Sequence, residues 1–190
     1  MILAASSQAA VAQATDPAND TVQTLQSGLL AIMKAGSSAG QTGRERMISP
    51  IIDNVFDIPL MTRLAVGPSW TSIDKPDQVK LVSAFRDMTI AEYARNFDGY
   101  SGERFDVAPQ VVTRGSDKLV RTTLTSPGSN REALNYRLRM NGGQWKIIDV
   151  YYRNSISQLA TRRSDFAAVL KKGGAKALIN HLEQLAAKPG

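Results

Sequence analysis

Two periodicities divide the chain. From about residue 20 to 97 and again from about 156 to 187, apolar residues recur at helical spacing, while between them the period drops to two. Asp20 can cap a first helix carrying Val22, Leu25, Leu29, Ile32 and Met33, ending near Gly36 in the small-residue link Ser37 to Gly40. A second stretch from about Thr42 carries Met47, Ile48, Ile51, Ile52, Val55 and Phe56. Pro50 and Pro59 should cut it into short pieces, with a turn at Gly67-Pro68. Asp74 caps a long helix to about Phe97, with Pro76 in the first turn where its missing donor is harmless. Its apolar side changes near Met88. Leu81, Val82, Phe85 and Met88 share one side, whereas Ile90, Ala91, Tyr93, Ala94 and Phe97 lie mostly on the other, so its halves should meet different partners or the helix should bend there.

The middle reads as four strands, at Phe105 to Val107, Leu119 to Thr125, Glu132 to Met140 and Gln144 to Tyr152. In the third, Leu134, Tyr136, Leu138 and Met140 alternate with Asn135, Arg137 and Arg139, giving one buried and one basic face. Gly115-Ser116-Asp117, Pro127-Gly128 and Asn141-Gly142-Gly143 supply turns, so neighbours should be antiparallel. Two helices follow, one with Ile156, Leu159, Ala160, Phe166, Ala167 and Leu170, the other after Gly173-Gly174 with Leu178, Ile179, Leu182 and Leu185. Helices, an antiparallel meander and helices again make an α+β fold, with residues 20–187 as a single domain.

Composition narrows the function by subtraction. The 190 residues contain no cysteine and one histidine, His181, which argues against thiolate, zinc or copper chemistry. Phosphate-binding glycine loops and the G-x-S-x-G elbow are missing, and no cofactor is expected. No run approaches the ~18 uncharged apolar residues of a membrane-spanning helix. The net charge of +6 favours an anionic contact, but aromatics at 6% and the lack of a recognised motif speak against nucleic acid. At the start, residues 1–14 are small, apolar and uncharged, with A-x-A at Ala10 to Ala12 and Ala12 to Ala14. They read as the remnant of a signal peptide and predict export.

Specific residues carry a resemblance. Trp145-Lys146-Ile147-Ile148-Asp149-Val150, Ile156-Ser157 and Arg163-Ser164-Asp165-Phe166 are followed by glycine and a leucine-rich helix. Upstream stand Phe56-Asp57, Leu64 with Gly67, Trp70, Gln78, Phe85, Tyr93 and Tyr100-Ser101-Gly102-Glu103. In this order, from about Val22 to Leu185, they resemble the MlaC or toluene-tolerance family of periplasmic lipid-binding proteins. Trp70, the Tyr100 to Glu103 segment and Arg163-Ser164 look closest to its hopanoid-associated branch, HpnM. Ser155 departs from the pattern, standing where glycine is expected, so the backbone of the turn before Ile156 should differ there.

The resemblance implies a curved four-stranded sheet closed by helices into a cone similar to nuclear transport factors. An apolar cavity would hold a phospholipid or hopanoid, ferried as a monomer between inner- and outer-membrane transport complexes of the envelope, without hydrolysis. At roughly 0.8 kcal/mol per CH₂, a chain of about sixteen carbons carries on the order of 12 kcal/mol of surface to hide, in a pocket of ~300–1,000 Å³ or more. The expected wall comprises Val55, Phe56, Met61, Leu64, Phe85, Met88, Tyr93, Phe97, Leu138, Ile148 and Ile156. Arg163 has two readings. In a helix continuous from Ser155 it falls in the apolar stripe and meets a lipid phosphate or core carboxylate; if Ser164 caps a new helix, it is freed to solvent. Arg162, Lys171 and Lys172 read as a solvated face. A ligand-free adaptor using Arg137 and Arg139, and an enzyme with buried perturbed acids, remain as alternatives.

Overall fold

The computed structural model describes residues 15–128 and 131–189, so the expected signal-peptide remnant lies outside the described residues. Helix α1, Pro17–Val55, is capped one turn earlier than expected. Asp16 accepts from the Ala18 amide at 2.9 Å, and Asp20 stands in the first turn, where its charge favours the helix N-terminus. Gly36 (φ 53°, ψ −146°) and Gly40 (φ 60°, ψ 174°) divide it into two arms at the link anticipated from the small residues. Buried Arg44 holds this joint, donating to the Gly36 carbonyl and to the Ala94 carbonyl, each at 2.8 Å.

Pro50 does not break the second arm. A helix-interior proline costs about 3 kcal/mol, while Ile48, Ile52 and Val55 on the same arm are buried, each contributing roughly 1.5–3 kcal/mol. The chain turns at Phe56, which bridges to Ile147, and Asp57 caps α2, Ile58–Val66, by accepting from the Leu60 amide at 3.0 Å. After a 3₁₀ turn at Gly67–Ser72, Asp74 caps α3, Lys75–Asn96, accepting from Asp77 at 2.8 Å. Helix α3 runs without an internal break. Its two halves meet different partners: Phe85 packs edge-on against Phe166 of α4 (Gln158–Ala186), and Tyr93 and Phe97 reach Phe56 and Phe105.

The sheet has seven antiparallel strands, not four: β1 Arg104–Val107, β2 Val112–Arg114, β3 Asp117–Val120, β4 Thr122–Thr125, β5 Glu132–Asn141, β6 Gln144–Tyr152 and β7 Ile156–Ser157. The expected first strand continues past an interruption containing Pro109, which has no N–H for the ladder, and returns as β2. The expected second strand splits at Arg121 into β3 and β4, both of which pair with β5. Opposite the split, the Asn135 side chain accepts from the Thr122 amide at 3.2 Å. Gly142 (φ 57°) and Gly143 (φ 81°) form the tight turn between β5 and β6.

Leu134, Tyr136 and Leu138 face inward beside Tyr152, Val150 and Ile147, and a bulge makes Ile148 the extra residue on β6. Met140, expected in the buried row, is 47% exposed at the strand end.

The start of α4 also differs from expectation. Arg153 (φ 50°) and Asn154 (φ 67°) turn the chain back so that Ile156 and Ser157 pair with β6, and Ser157 caps the helix. Buried Asp149 secures the junction, accepting from the Ser157 hydroxyl at 2.6 Å and the Leu159 amide at 3.0 Å. Farther on, Gly173 and Gly174 break α4 where the glycine pair predicted.

Candidate functional site

Between α3, the first turns of α4 and the inner sheet face lies a cavity of about 450 Å³. Helix α3 contributes Thr89, Glu92, Tyr93 and Asn96, and its C-cap Phe97 follows, at the steps of three and four that bring residues onto one helix face. Leu124, Leu134, Tyr136, Val150 and Tyr152 form the sheet wall, with Glu132 among them. Gln158, Leu159 and Arg162 come from α4, while Phe56, Met61 and Phe85 line it from the helical core. Phe56, Tyr93 and Phe97 make a row of rings, with centroids 5.7 and 5.9 Å apart, that continues to Phe105 at 6.4 Å. Rings are stiff, and a wall of them keeps its shape around an empty space better than flexible chains do.

The charged residues among the described lining are Glu92, Glu132 and Arg162. Arg162 pairs with Glu92, carries its guanidinium carbon 5.7 Å from the Phe85 ring centre, and turns Nη1 to the Met88 sulfur at 3.3 Å. Glu132 accepts from the Tyr152 hydroxyl at 3.0 Å. Burial pushes the Tyr93 phenol well above its ordinary pKa; nearby Arg162 pulls it down and Glu92 pushes it up. Burial, then the neighbouring Tyr93, raises Tyr136 in the same direction. Both phenols therefore keep their protons at neutral pH and remain donors. The site offers an apolar body with a polar margin.

Of the residues expected in the wall, Phe56, Met61, Phe85, Tyr93 and Phe97 line this cavity. Val55, Met88, Leu138 and Ile148 are buried elsewhere in the core, and Leu64 is half-buried on α2 without reaching the lining. Ile156 is 48% exposed, because pairing with β6 takes it out of the helix stripe to which its spacing assigns it. Arg163 is exposed and lies over Gly67, so its place in the apolar stripe is corrected. The reason is register, not a new cap at Ser164: α4 starts at Gln158 and runs unbroken through this region. The inward arginine is Arg162, which the sequence pattern assigns to a solvated face. Sequence reasoning misses Glu92 as well, although its spacing from Thr89, Tyr93 and Asn96 places it on the cavity side.

On the outer sheet face, Asp117 is 4% exposed and accepts from Arg137 Nε at 2.7 Å and from Arg139 Nε at 2.6 Å. The hydrogen bonds from Arg139, then Arg137, hold its carboxyl down at about 2. Asp117 thus offsets one of the two positive charges of Arg137 and Arg139, and Arg114, Arg121 and Arg137 rim a groove of about 730 Å³ on this face.

Among the described residues no helix is long and apolar enough to cross a membrane. The family model described as MlaC protein matches residues 23–184. None of the curated proteins compared with the chain matches it. Among solved structures, the chain is similar to a phospholipid-binding protein from Ralstonia solanacearum, determined in complex with a phospholipid. The two share 24% identity over 90% of this chain and 97% of the other, with a TM-score of 0.74.

Proposed function

The chain belongs to the MlaC family, and from that premise we propose that it is a non-enzymatic lipid carrier, binding a phospholipid or hopanoid in the cavity between α3, α4 and the sheet. The observation that carries this reading is the cavity itself, about 450 Å³ walled by Phe56, Phe85, Tyr93, Phe97, Leu134 and Val150, in a fold shared with a protein whose structure contains a phospholipid. Such a space is a liability in a solid core, since every missing contact lowers stability. It is an asset where hydrocarbon must be hidden from water. In this reading residues 20–187 form one lipid-binding domain and residues 1–14 belong to an export signal. The protein works as a monomer in the periplasm, passing lipid between inner- and outer-membrane complexes, and Arg114 and Arg121 on the outer face supply a cationic docking surface. The sheet and helices would form the cone of nuclear transport factors, and Trp70 with the Tyr100 to Glu103 segment supports placement in the HpnM branch.

The test is purification without detergent, followed by native and denaturing mass spectrometry and analysis of an organic extract. A stoichiometric adduct that leaves on denaturation and matches a phospholipid or hopanoid is expected. A bare polypeptide mass that stays unchanged after incubation with lipid vesicles would overturn the carrier reading.

A further inference from the structure

Charged and hydrogen-bonding groups share the cavity lining with its rings, and their charges and donors are unevenly satisfied. Arg162 uses Nη2 on Glu92, but Nη1 meets only the weakly accepting Met88 sulfur, and Nε meets no acceptor among the described residues. A guanidinium with 21% of its side chain exposed therefore faces an aromatic chamber with donors unspent. The hydroxyls of Tyr93 and Tyr136 likewise make no hydrogen bond among the described residues. Tyr93 acts electrostatically on Tyr136, Arg162 and Glu92 both act on Tyr93, and all four line the same cavity. What is unsatisfied here is donor capacity, which calls for ligand oxygens. A pure hydrocarbon skeleton brings none.

Charge adds a second constraint. Against the single guanidinium stand two carboxylates from different walls, Glu92 on α3 and Glu132 on β5. Glu92 is shared with Arg162; Glu132 has the Tyr152 hydroxyl and, at 3.8 Å, the largely exposed Arg153. A lipid with a net negative headgroup would bring its phosphate to Arg162 and leave the carboxylates facing more negative charge. A headgroup carrying both a phosphate and an ammonium answers both.

We propose that the polar margin of the cavity selects zwitterionic glycerophospholipids, with phosphate and ester oxygens taken by Arg162 and the Tyr93 and Tyr136 hydroxyls and the ammonium held between Glu92 and Glu132. The proposal rests on the carrier reading above and adds the class of headgroup.

The experiment offers both headgroups on one surface, so that the attraction of a cationic protein to anionic membrane cannot bias the result. Lipid-stripped protein is incubated with vesicles of equimolar phosphatidylethanolamine and phosphatidylglycerol with identical acyl chains, re-isolated, and its lipid quantified by mass spectrometry. A partly exposed charge pair shifts such an equilibrium by up to about fivefold, so phosphatidylethanolamine should be enriched about threefold to fivefold in the bound fraction. Glu132→Gln should move the ratio to near parity. Equal uptake, or enrichment of phosphatidylglycerol, overturns the headgroup assignment and leaves the carrier reading standing. The assignment also falls if Glu132→Gln keeps the full preference while circular dichroism shows a native fold. A third sample containing an equal mole fraction of an unfunctionalised hopanoid tests the ester requirement, and preferential loading of that hydrocarbon overturns the proposal. No lipid of any kind in the wild-type protein overturns the carrier reading itself.

Discussion

On the outer face of β5, Arg137 and Arg139 close on Asp117, and the polar groups satisfy one another. On the inner face of the same strand, Leu134 and Tyr136 look into an open cavity, and only Leu138 is sealed into solid core. One alternation of residues thus ends in an ion-paired polar face that borders an open groove and an apolar face left partly uncovered. The difference lies in what each face meets. An ion-pair network is completed within the sheet, while an apolar face depends on the layer above it, and α3 and α4 stand off from the sheet along this edge. Stability and function are therefore written on opposite sides of one strand, and substitutions should separate them.

The largest effect is expected where the inner face is sealed. Leu138→Ala removes a fully buried side chain and should cost about 2–5 kcal/mol, read from urea denaturation. Lipid occupancy per folded molecule should stay the same, because Leu138 does not line the cavity. Next comes the outer network. Asp117→Asn leaves two guanidiniums, 39% and 34% exposed, without their carboxylate. Hydration of the arginines softens the loss, and about 2 kcal/mol is expected. The same residue predicts a pH dependence. Its carboxyl is lowered from 3.8 to about 2 by Arg139 and Arg137, so its contribution is complete above pH 3.8 and disappears as the pH falls through about 2. Melting temperatures followed from pH 5 to pH 2 should drop more steeply for the wild type than for Asp117→Asn; parallel curves would show that the pairs contribute nothing.

Filling the open part of the inner face should do the reverse. Val150→Trp places a large ring in the cavity from a strand position that suits aromatics, and lipid uptake should fall about tenfold, equivalent to roughly 1.4 kcal/mol. The melting temperature should move little. Unchanged uptake with a native circular dichroism spectrum would mean that lipid lies elsewhere. The smallest effect belongs to Leu119→Ala, which removes a half-buried leucine from the outer groove and should change stability by less than about 1 kcal/mol. If it matched Leu138→Ala, the outer groove would be closed in solution and the contrast between the faces would fail.

Much of this architecture was legible because its signals are local. The Asp74 cap, the glycine breaks at Gly36, Gly40, Gly173 and Gly174, the Gly142-Gly143 turn and the alternation of β5 each depend on a few neighbouring residues. The apolar side change in α3 pointed correctly to two sets of packing partners. Pro50 misled because packing of distant residues overrides a local propensity. The sheet was undercounted because β2 lies beyond the interruption at Pro109, a shift at Arg121 divides a strand whose pattern looks continuous, and β7 is a two-residue pairing hidden under the helical spacing of Ile156.

The candidate wall was read less well, and the arginines show why. Arg162 and Arg163 are identical in chemistry and adjacent in the chain, yet a step of about 100° around the helix sends one into the cavity and the other over Gly67. Their assignment depends on where α4 begins. That point is set by two residues pairing with β6 and by Asp149 accepting from Ser157 and Leu159, interactions invisible to periodicity. By itself, the sequence determined the order of helical and extended regions and the apolar faces of the longest elements, since these follow from short-range backbone preferences and spacing. Which apolar residues touch one another and which line empty space was decided only by the tertiary structure, because a cavity is a distance between layers and no single segment encodes it.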